Sequence, residues 1–325
     1  MKRWFRAALR RVLCSILSTA GLALALMPVE SARASCGSAA CSVNTDWATL
    51  GAFTEPGARV DVRAEYIPQD QPRHGAKAVS VGEIPAHHDE VHTWNRNLVA
   101  TADYTFSSHW GAAVSLPYVD RDHKHIHNHH GEKVVEKWHI TGVGDAKALG
   151  RYQVAPEGVG TVGVMAGVKL PTGATRVKNS EGEEAERPLQ PGTGTTDSIL
   201  GAYLQRPLGG LGWFVQAQRQ SALAAHDDFR PGDRTTLDTG VRYDATHKLA
   251  LLLQVNALWK ERDEGLQAEP EDSGGRFYFV SPGMAWAFTH DVQMYGFYQH
   301  AVYQYVNGVQ LTADGAAVVG GSVRF

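Results

Sequence analysis

From Gly57 onward, apolar and polar positions alternate with period two almost to the last residue. In GARVDVRAEYI, Val60, Val62, Ala64 and Tyr66 share one parity, and Asp61, Arg63 and Glu65 share the other. The hairpin from Trp138 to Gly173 repeats the scheme. Its first arm sets Ile140, Gly142, Ala146, Ala148 and Tyr152 against His139, Thr141, Asp145, Lys147 and Arg151. Its second arm sets Val162, Val164, Ala166, Val168 and Leu170 against Thr161, Met165 and Lys169. Side chains on a pleated backbone point alternately to opposite faces, so this pattern predicts strands. Twelve are expected, at 57–67, 93–106, 109–119, 138–154, 158–170, 196–207, 211–222, 234–245, 248–261, 276–288, 291–304 and 315–325.

The connections alternate as strictly as the residues. SSH, APEG, LGG, ATH and THD make tight turns, whereas 68–92, 120–137, 171–195, 223–233, 262–275 and 305–314 are long and polar. Short turns on one side and long loops on the other describe an outer-membrane barrel, and a soluble sandwich has no reason to sort its loops this way. The expected fold is therefore all-β, a transmembrane antiparallel barrel of about twelve strands with short periplasmic turns and long extracellular loops. Tyr104, Phe106, Trp110, Trp213, Trp286 and Phe288 flank the short turns, as an interfacial girdle would. The last strand alternates Ala317, Val319, Gly321, Val323 and Phe325. An apolar strand closed by Phe resembles the signal that the outer-membrane assembly machinery reads, so that machinery is an expected partner through Phe325, beside the lipid itself.

If the apolar parity meets lipid, the other parity lines the lumen. Asp61, Arg63, Glu65, Asp103, Asp145, Lys147, Arg151, Lys169, Asp238 and Arg242 are the expected lumen and selectivity residues, and His139 falls on the same parity. A dry core could not hold unpaired ions at several kcal/mol each, whereas a hydrated barrel can. Twelve strands enclose a narrow bore, so the mixed charges predict a constricted or partly plugged channel.

The N-terminal stretch and the charge balance set the compartment. Lys2, Arg3, Arg6, Arg10 and Arg11 precede an apolar core and an Ala32-Arg33-Ala34 cleavage site, so residues 1–34 read as a cleaved signal peptide for export to the bacterial outer membrane. Residues 35–56 lack a sustained period and read as a periplasmic or lumenal segment, and 57–325 as the barrel. Removing six basic residues and Glu30 leaves 25 Lys+Arg against 33 Asp+Glu, a charge of −8 that disfavours nucleic acid as a partner. Cys36 and Cys41, in an oxidising compartment, are expected to form a small disulfide loop.

Several glycine-rich motifs carry a family resemblance. GVGDAKALGRYQV, GVMAGVKLPTG and GTGTTDSILGAYLQRPLGGLGWFVQAQ resemble the outer-membrane transporters of the MetA-pathway phenol-degradation family, through Gly142, Gly144, Asp145, Gly167, Lys169, Leu170, Pro171, Thr172, Gly173, Gly192, Gly194, Asp197, Gly201 and Gly212. The resemblance spans roughly residues 91 to 325. It implies a β-barrel channel carrying small or hydrophobic compounds. The cysteine-bearing N-terminus and the histidines depart from a plain member of that family.

Fifteen histidines are present, and eight crowd two loops. His87, His88 and His92 stand in HHDEVH, and His123, His125, His127, His129 and His130 in DHKHIHNHH. Neutral imidazole suits zinc, copper and nickel, so these eight are candidate ligands of a divalent ion, with Asp89, Glu90, Asp120 and Asp122 as added oxygen donors. No cofactor is required by the pattern. Ser107, Ser108 and His109 are adjacent without a relay, and no nucleophile, base and orienting group come together, so no enzyme is expected. The expected function is a channel or transporter for small solutes with a narrow charged lumen, and the alternative is a metal-binding or metal-transporting barrel using His-rich extracellular loops.

Overall fold

The computed structural model describes residues 43–46, 56–85, 87, 89–129 and 132–325. The region 1–34 and the Cys36/Cys41 pair lie outside the described residues. Among the described residues no helix is long and apolar enough to cross a membrane. The chain crosses with strands instead.

The strands are β1 (Gly57–Gln69), β2 (Gln71–His74), β3 (Lys77–Ala78), β4 (Asp89–Thr105), β5 (Trp110–His129), β6 (Glu132–Val143), β7 (Lys147–Val154) and β8 (Thr161–Lys169). They continue as β9 (Asp197–Leu208), β10 (Leu211–Ala222), β11 (Arg234–Asp244), β12 (Leu249–Lys260), β13 (Gly275–Ala287), β14 (Val292–Val306), β15 (Val309–Thr312) and β16 (Gly315–Arg324). Each wall strand pairs antiparallel with its neighbours, and the wall closes where β1 pairs with both β4 and β16. Closure leaves no unpaired edge at the seam, as hydrocarbon demands of any sheet that spans it. Strand β5 is long enough to serve two partners, β7 over Trp110–Ser115 and β6 over Tyr118–His129. Since β6 and β7 share one place in the wall, the barrel has twelve positions.

The outer face is the apolar parity. Val62, Leu98, Val114, Val164, Leu200, Val255 and Val319 are all exposed, as side chains that face lipid must be. In the opposite parity Asp61, Glu65, Asp103, Arg151, Lys169 and Asp238 are buried. Hydrophobicity is thus inverted relative to a soluble protein, and the buried groups are polar because they face the barrel interior and pair with one another along its wall.

Three departures from the strand pattern have local causes. Residues 120–137 are not a loop, because β5 and β6 continue past the lipid-facing band as an extended hairpin in which His123 pairs with Trp138 and His125 with Glu136. The long connections 68–92 and 305–314 contain β2, β3 and β15, which form a small antiparallel sheet of their own. The stretch 138–154 is two strands, broken at Gly144–Ala146.

The break also inverts the parity. In β7 the odd residues Arg151 and Gln153 are buried, whereas in β6 the even residues Trp138 and Ile140 are. His139 therefore faces outward, its side chain 62% exposed, and not into the lumen as continuous alternation predicts. Gly144 permits the break because its backbone lies against Pro117 and Pro191. A Cβ there would stand 3.0 Å from Pro117 Cγ and 3.1 Å from the Pro191 carbonyl oxygen.

Candidate functional site

The break in the wall is where four of the motif glycines, Gly142, Gly144, Gly173 and Gly192, come together. Above the end of β8, β6 has no strand on its second side, and residues 171–195 cover it. Val177, Ala185 and Leu189 of that segment form an apolar cluster with Trp138 and Ile140, and the Trp138 indole N–H donates to the Glu183 carbonyl at 3.2 Å. Thr172 stitches the gap: its hydroxyl donates to the Gly144 carbonyl and accepts from the Ala146 N–H, both at 2.8 Å. Gly173 and Gly192 sit so close that a Cβ on Gly192 would come within 2.6 Å of Asp145 Oδ1.

At the centre of this knot lies a buried charge cluster. Lys169 Nζ is 3.0 Å from Asp145 Oδ2 and 3.1 Å from Asp197 Oδ1, and it also donates to Thr193 and Thr195. Asp145 accepts from the Gly173 and Thr193 amides at 3.0 Å each. Lys147 reaches Gln220, which in turn donates to Asp197 at 2.6 Å. Two carboxylates around one ammonium, with Asp145 held further by backbone amides and Asp197 by the Thr195 and Gln220 side chains, make a buried arrangement that is costly to break from either side.

Nearer the periplasm a second cluster runs along the inner wall. The Arg151 guanidinium grips Asp103 in bidentate fashion and donates to Thr105, while Arg59 lies 3.8 Å from Asp103 and 3.9 Å from Asp46. Asp61 accepts from Tyr295 Oη at 2.9 Å, Arg63 pairs with Glu65 at 2.8 Å, and Asp238 accepts from Asn256 at 2.8 Å. Of the ten residues expected in the lumen, Asp61, Glu65, Asp103, Asp145, Arg151, Lys169 and Asp238 are buried within the barrel, and Arg63, Lys147 and Arg242 are half-buried. Arg242, with Asp244 at 2.9 Å, marks its periplasmic mouth, where a cavity of about 760 Å³ is lined by Asp244, His247, Lys248, Ala250 and Gln293.

Part of the N-terminal segment occupies the same space. Val43 packs among Phe214, Leu252, Tyr295, Phe297 and Val318. The Asn44 amide donates to Gln254 Oε1 at 3.1 Å, and Gln254 Nε2 donates back to the Asn44 carbonyl at 2.8 Å. This reciprocal pair holds the Asn44 backbone against the inner face of β12.

The histidines are dispersed. His87 lies 3.3 Å from Asp272, and His92 stacks on the outward Trp94 with ring centroids 4.3 Å apart. His123 and His125 point inward and are each 2% exposed. His88, His130 and the side chains of His127 and His129 lie outside the described residues. Among the described residues, the three that converge with metal-like spacing are Asp120, Asp122 and His139, on the outer face. Arg96 lies on both of those carboxylates, 2.6 Å from Asp122 and 3.5 Å from Asp120.

Thr193, Thr195, Glu136 and Trp138 belong to these clusters and were not singled out by residue type. Their signal is parity: Thr193 and Thr195 continue the inward alternation of Asp197 into what reads as loop, and hairpin register sets Glu136 beside His125. At the turn before β5, Ser108 Oγ and His109 Nδ1 are 3.0 Å apart and exposed.

No protein-family model matches the chain, and no curated protein sequence matches it. The likeness to the MetA-pathway family therefore rests on the motifs alone. Among solved structures, the chain is similar to an outer membrane channel from Pseudomonas putida F1, with 12% identity and a TM-score of 0.64 over 84% of this chain and 97% of that one. It is also similar to the toluene transporter TodX of P. putida, with 10% identity and a TM-score of 0.48 over 90% of this chain and 96% of that one. At such identities the likeness is one of fold, an outer-membrane β-barrel.

Proposed function

We propose that the chain is an outer-membrane channel that passes small solutes through a narrow, charged lumen. The observation that carries this reading is the pair of buried charge clusters inside a closed twelve-position wall, around Arg151–Asp103 and around Lys169–Asp145–Asp197. Ion pairs that line the inside of a bore set both its width and the sign of what passes. With Val43–Asp46 inserted beside them, free space favours a small solute over a large one.

Planar-bilayer recording tests the proposal. The refolded barrel is expected to give small, discrete conductance steps whose cation-to-anion selectivity changes when Lys169 is replaced by Met. Conductance no greater than that of protein-free lipid, together with no solute uptake by liposomes, would overturn it.

A second reading, a metal-handling barrel, is favoured by one observation. His123 and His125 face the lumen and not the solvent around a loop. An ion entering at the extracellular end would meet them.

A further inference from the structure

At the extracellular end of the lumen, two imidazoles face each other in a chain of side chains from three adjacent strands. His123 Nε2 and His125 Nδ1 are 3.1 Å apart. The two remaining ring nitrogens are also held, His123 Nδ1 by Thr93 Oγ1 at 2.8 Å and His125 Nε2 by Glu136 Oε2 at 3.0 Å. Trp138 lies over both rings, with centroids 5.7 Å from His123 and 4.7 Å from His125. Glu90 is buried on β4 with His125 as its cross-strand partner.

We infer that His123 and His125 form a binding site for a borderline divalent ion, zinc or copper(II), a site that rests on the metal-handling reading and gives it a location. Metal–nitrogen bonds of about 2.0–2.1 Å in a tetrahedral site place neighbouring ligand nitrogens roughly 3.3 Å apart, close to the spacing of the two facing nitrogens. Metal-ligating histidines almost always use their other ring nitrogen to bond a carboxylate or similar acceptor, which fixes tautomer and orientation. Glu136 and Thr93 stand where such partners belong.

The protons balance without loss. With both rings neutral and Glu136 ionised, the Thr93 hydroxyl donates to His123 Nδ1, His123 Nε2–H donates to His125 Nδ1, and His125 Nε2–H donates to Glu136. When an ion takes the two facing nitrogens, His123 moves its single proton from Nε2 to Nδ1, and the Thr93 oxygen turns from donor to acceptor. His125 keeps its Nε2–H on Glu136. Both rings remain neutral, the form that coordinates. Cα atoms of directly opposed residues on antiparallel strands are about 4.5–5.5 Å apart, so Glu90 is at hand as a third, oxygen donor after a change of rotamer. Its carboxylate, with that of Glu136, offsets the ion's charge.

Calorimetric titration of the folded full-length barrel in detergent with zinc chloride and with copper(II) sulfate tests the site. One ion per barrel is expected, with magnesium failing to compete. Copper(II) is expected to quench tryptophan emission, because Trp138 lies over the pair, and W138F is expected to lose most of that quenching while keeping the affinity. T93V should weaken binding by about tenfold, as losses of orienting partners do, and H123Q or H125Q by more. Each variant is first checked for the heat-dependent gel mobility of a folded barrel. Affinity unchanged in H123Q and H125Q would overturn the site, as would affinity lost only on changing His127, His129 and His130 to Ser, or Asp120 and Asp122 to Asn. Zinc uptake into liposomes separates the two levels. Intact binding with uptake unaffected by H123Q and H125Q sinks the metal-handling reading and leaves the site standing, whereas absent binding sinks the site whatever the uptake.

Discussion

Lys169 is the residue on which the wall break depends most. Its ammonium is shared by Asp145 and Asp197 within 3.1 Å, and all three are buried. K169M would leave two carboxylates facing each other without a cation, and removing one partner of a buried ionic group costs about 3–5 kcal/mol. The midpoint of heat-induced gel shift should therefore fall sharply for K169M. It should recover in part when D197N is added, since one of the stranded charges is then gone. His123 behaves differently because its own burial works against its charge. Burial pushes its imidazole well below the usual histidine range, with the positive charge that His125, His92 and Arg121 can carry adding to the effect. The folded form then binds fewer protons than the unfolded chain, whose histidines titrate near about 6.5. The contribution of His123 to stability is complete above that value and is lost as pH falls from there towards the folded pKa. Glu90 on β4 and Glu136 on β6 face the pair and oppose the shift, and Arg121 on β5 supports it. Trp138 emission should change over that acid window in the wild type and stay flat in H123Q.

At the scale of elements, the β5–β6 hairpin and the N-terminal insertion have separable roles. Beyond Asp120 the outward neighbours are Asp122, Lys124 and His139, so this part of the hairpin projects past the lipid. Among the described residues the strand pairing of its tip is within the hairpin alone, and deleting 127–134 should leave the folded gel mobility unchanged. Val43–Asp46 touches the wall through one apolar cluster, the Asn44–Gln254 pair and the Asp46–Arg59 ion pair. Because the pair uses the backbone of Asn44 and the side chain of Gln254, Q254A combined with V43G should loosen that contact and raise single-channel conductance, while Q254A alone should act in the same direction. Equal conductance in all three would show that these residues do not limit the bore. Twelve elements were legible from alternation because strands declare themselves locally. The small sheet of β2, β3 and β15 was not, since strands of four, two and four residues carry too few repeats to show a period.

Across the whole molecule, the barrel is held by an arrangement in which apolar side chains point out and charges point in. Val164 and Leu200 stand on the lipid face, 54% and 62% exposed. Val164→Lys or Leu200→Lys should each destabilise the barrel in a bilayer by about 2–4 kcal/mol if near mid-depth. H139K, outward but level with Asp122, should cost little, and equal effects of all three on the unfolding free energy in lipid would contradict this placement of the lipid-facing band.

Period-two alternation, the sorting of turns from loops and the choice of inward charges were determined by sequence alone, because each depends only on a residue's neighbours within one strand. Three matters needed the tertiary structure. Alternation carries a parity only as far as the backbone stays regular, and at Gly144–Ala146 a contact with Pro117 and Pro191 breaks it, which turns His139 outward and Trp138 inward. The gathering of Lys169, Asp145, Asp197 and Thr193 depends on the return of 171–195 over an uncovered strand. The described members of the two histidine clusters share a composition but not an environment: strand register sets His123 and His125 between Thr93 and Glu136, whereas His87 lies by Asp272 and His92 on Trp94.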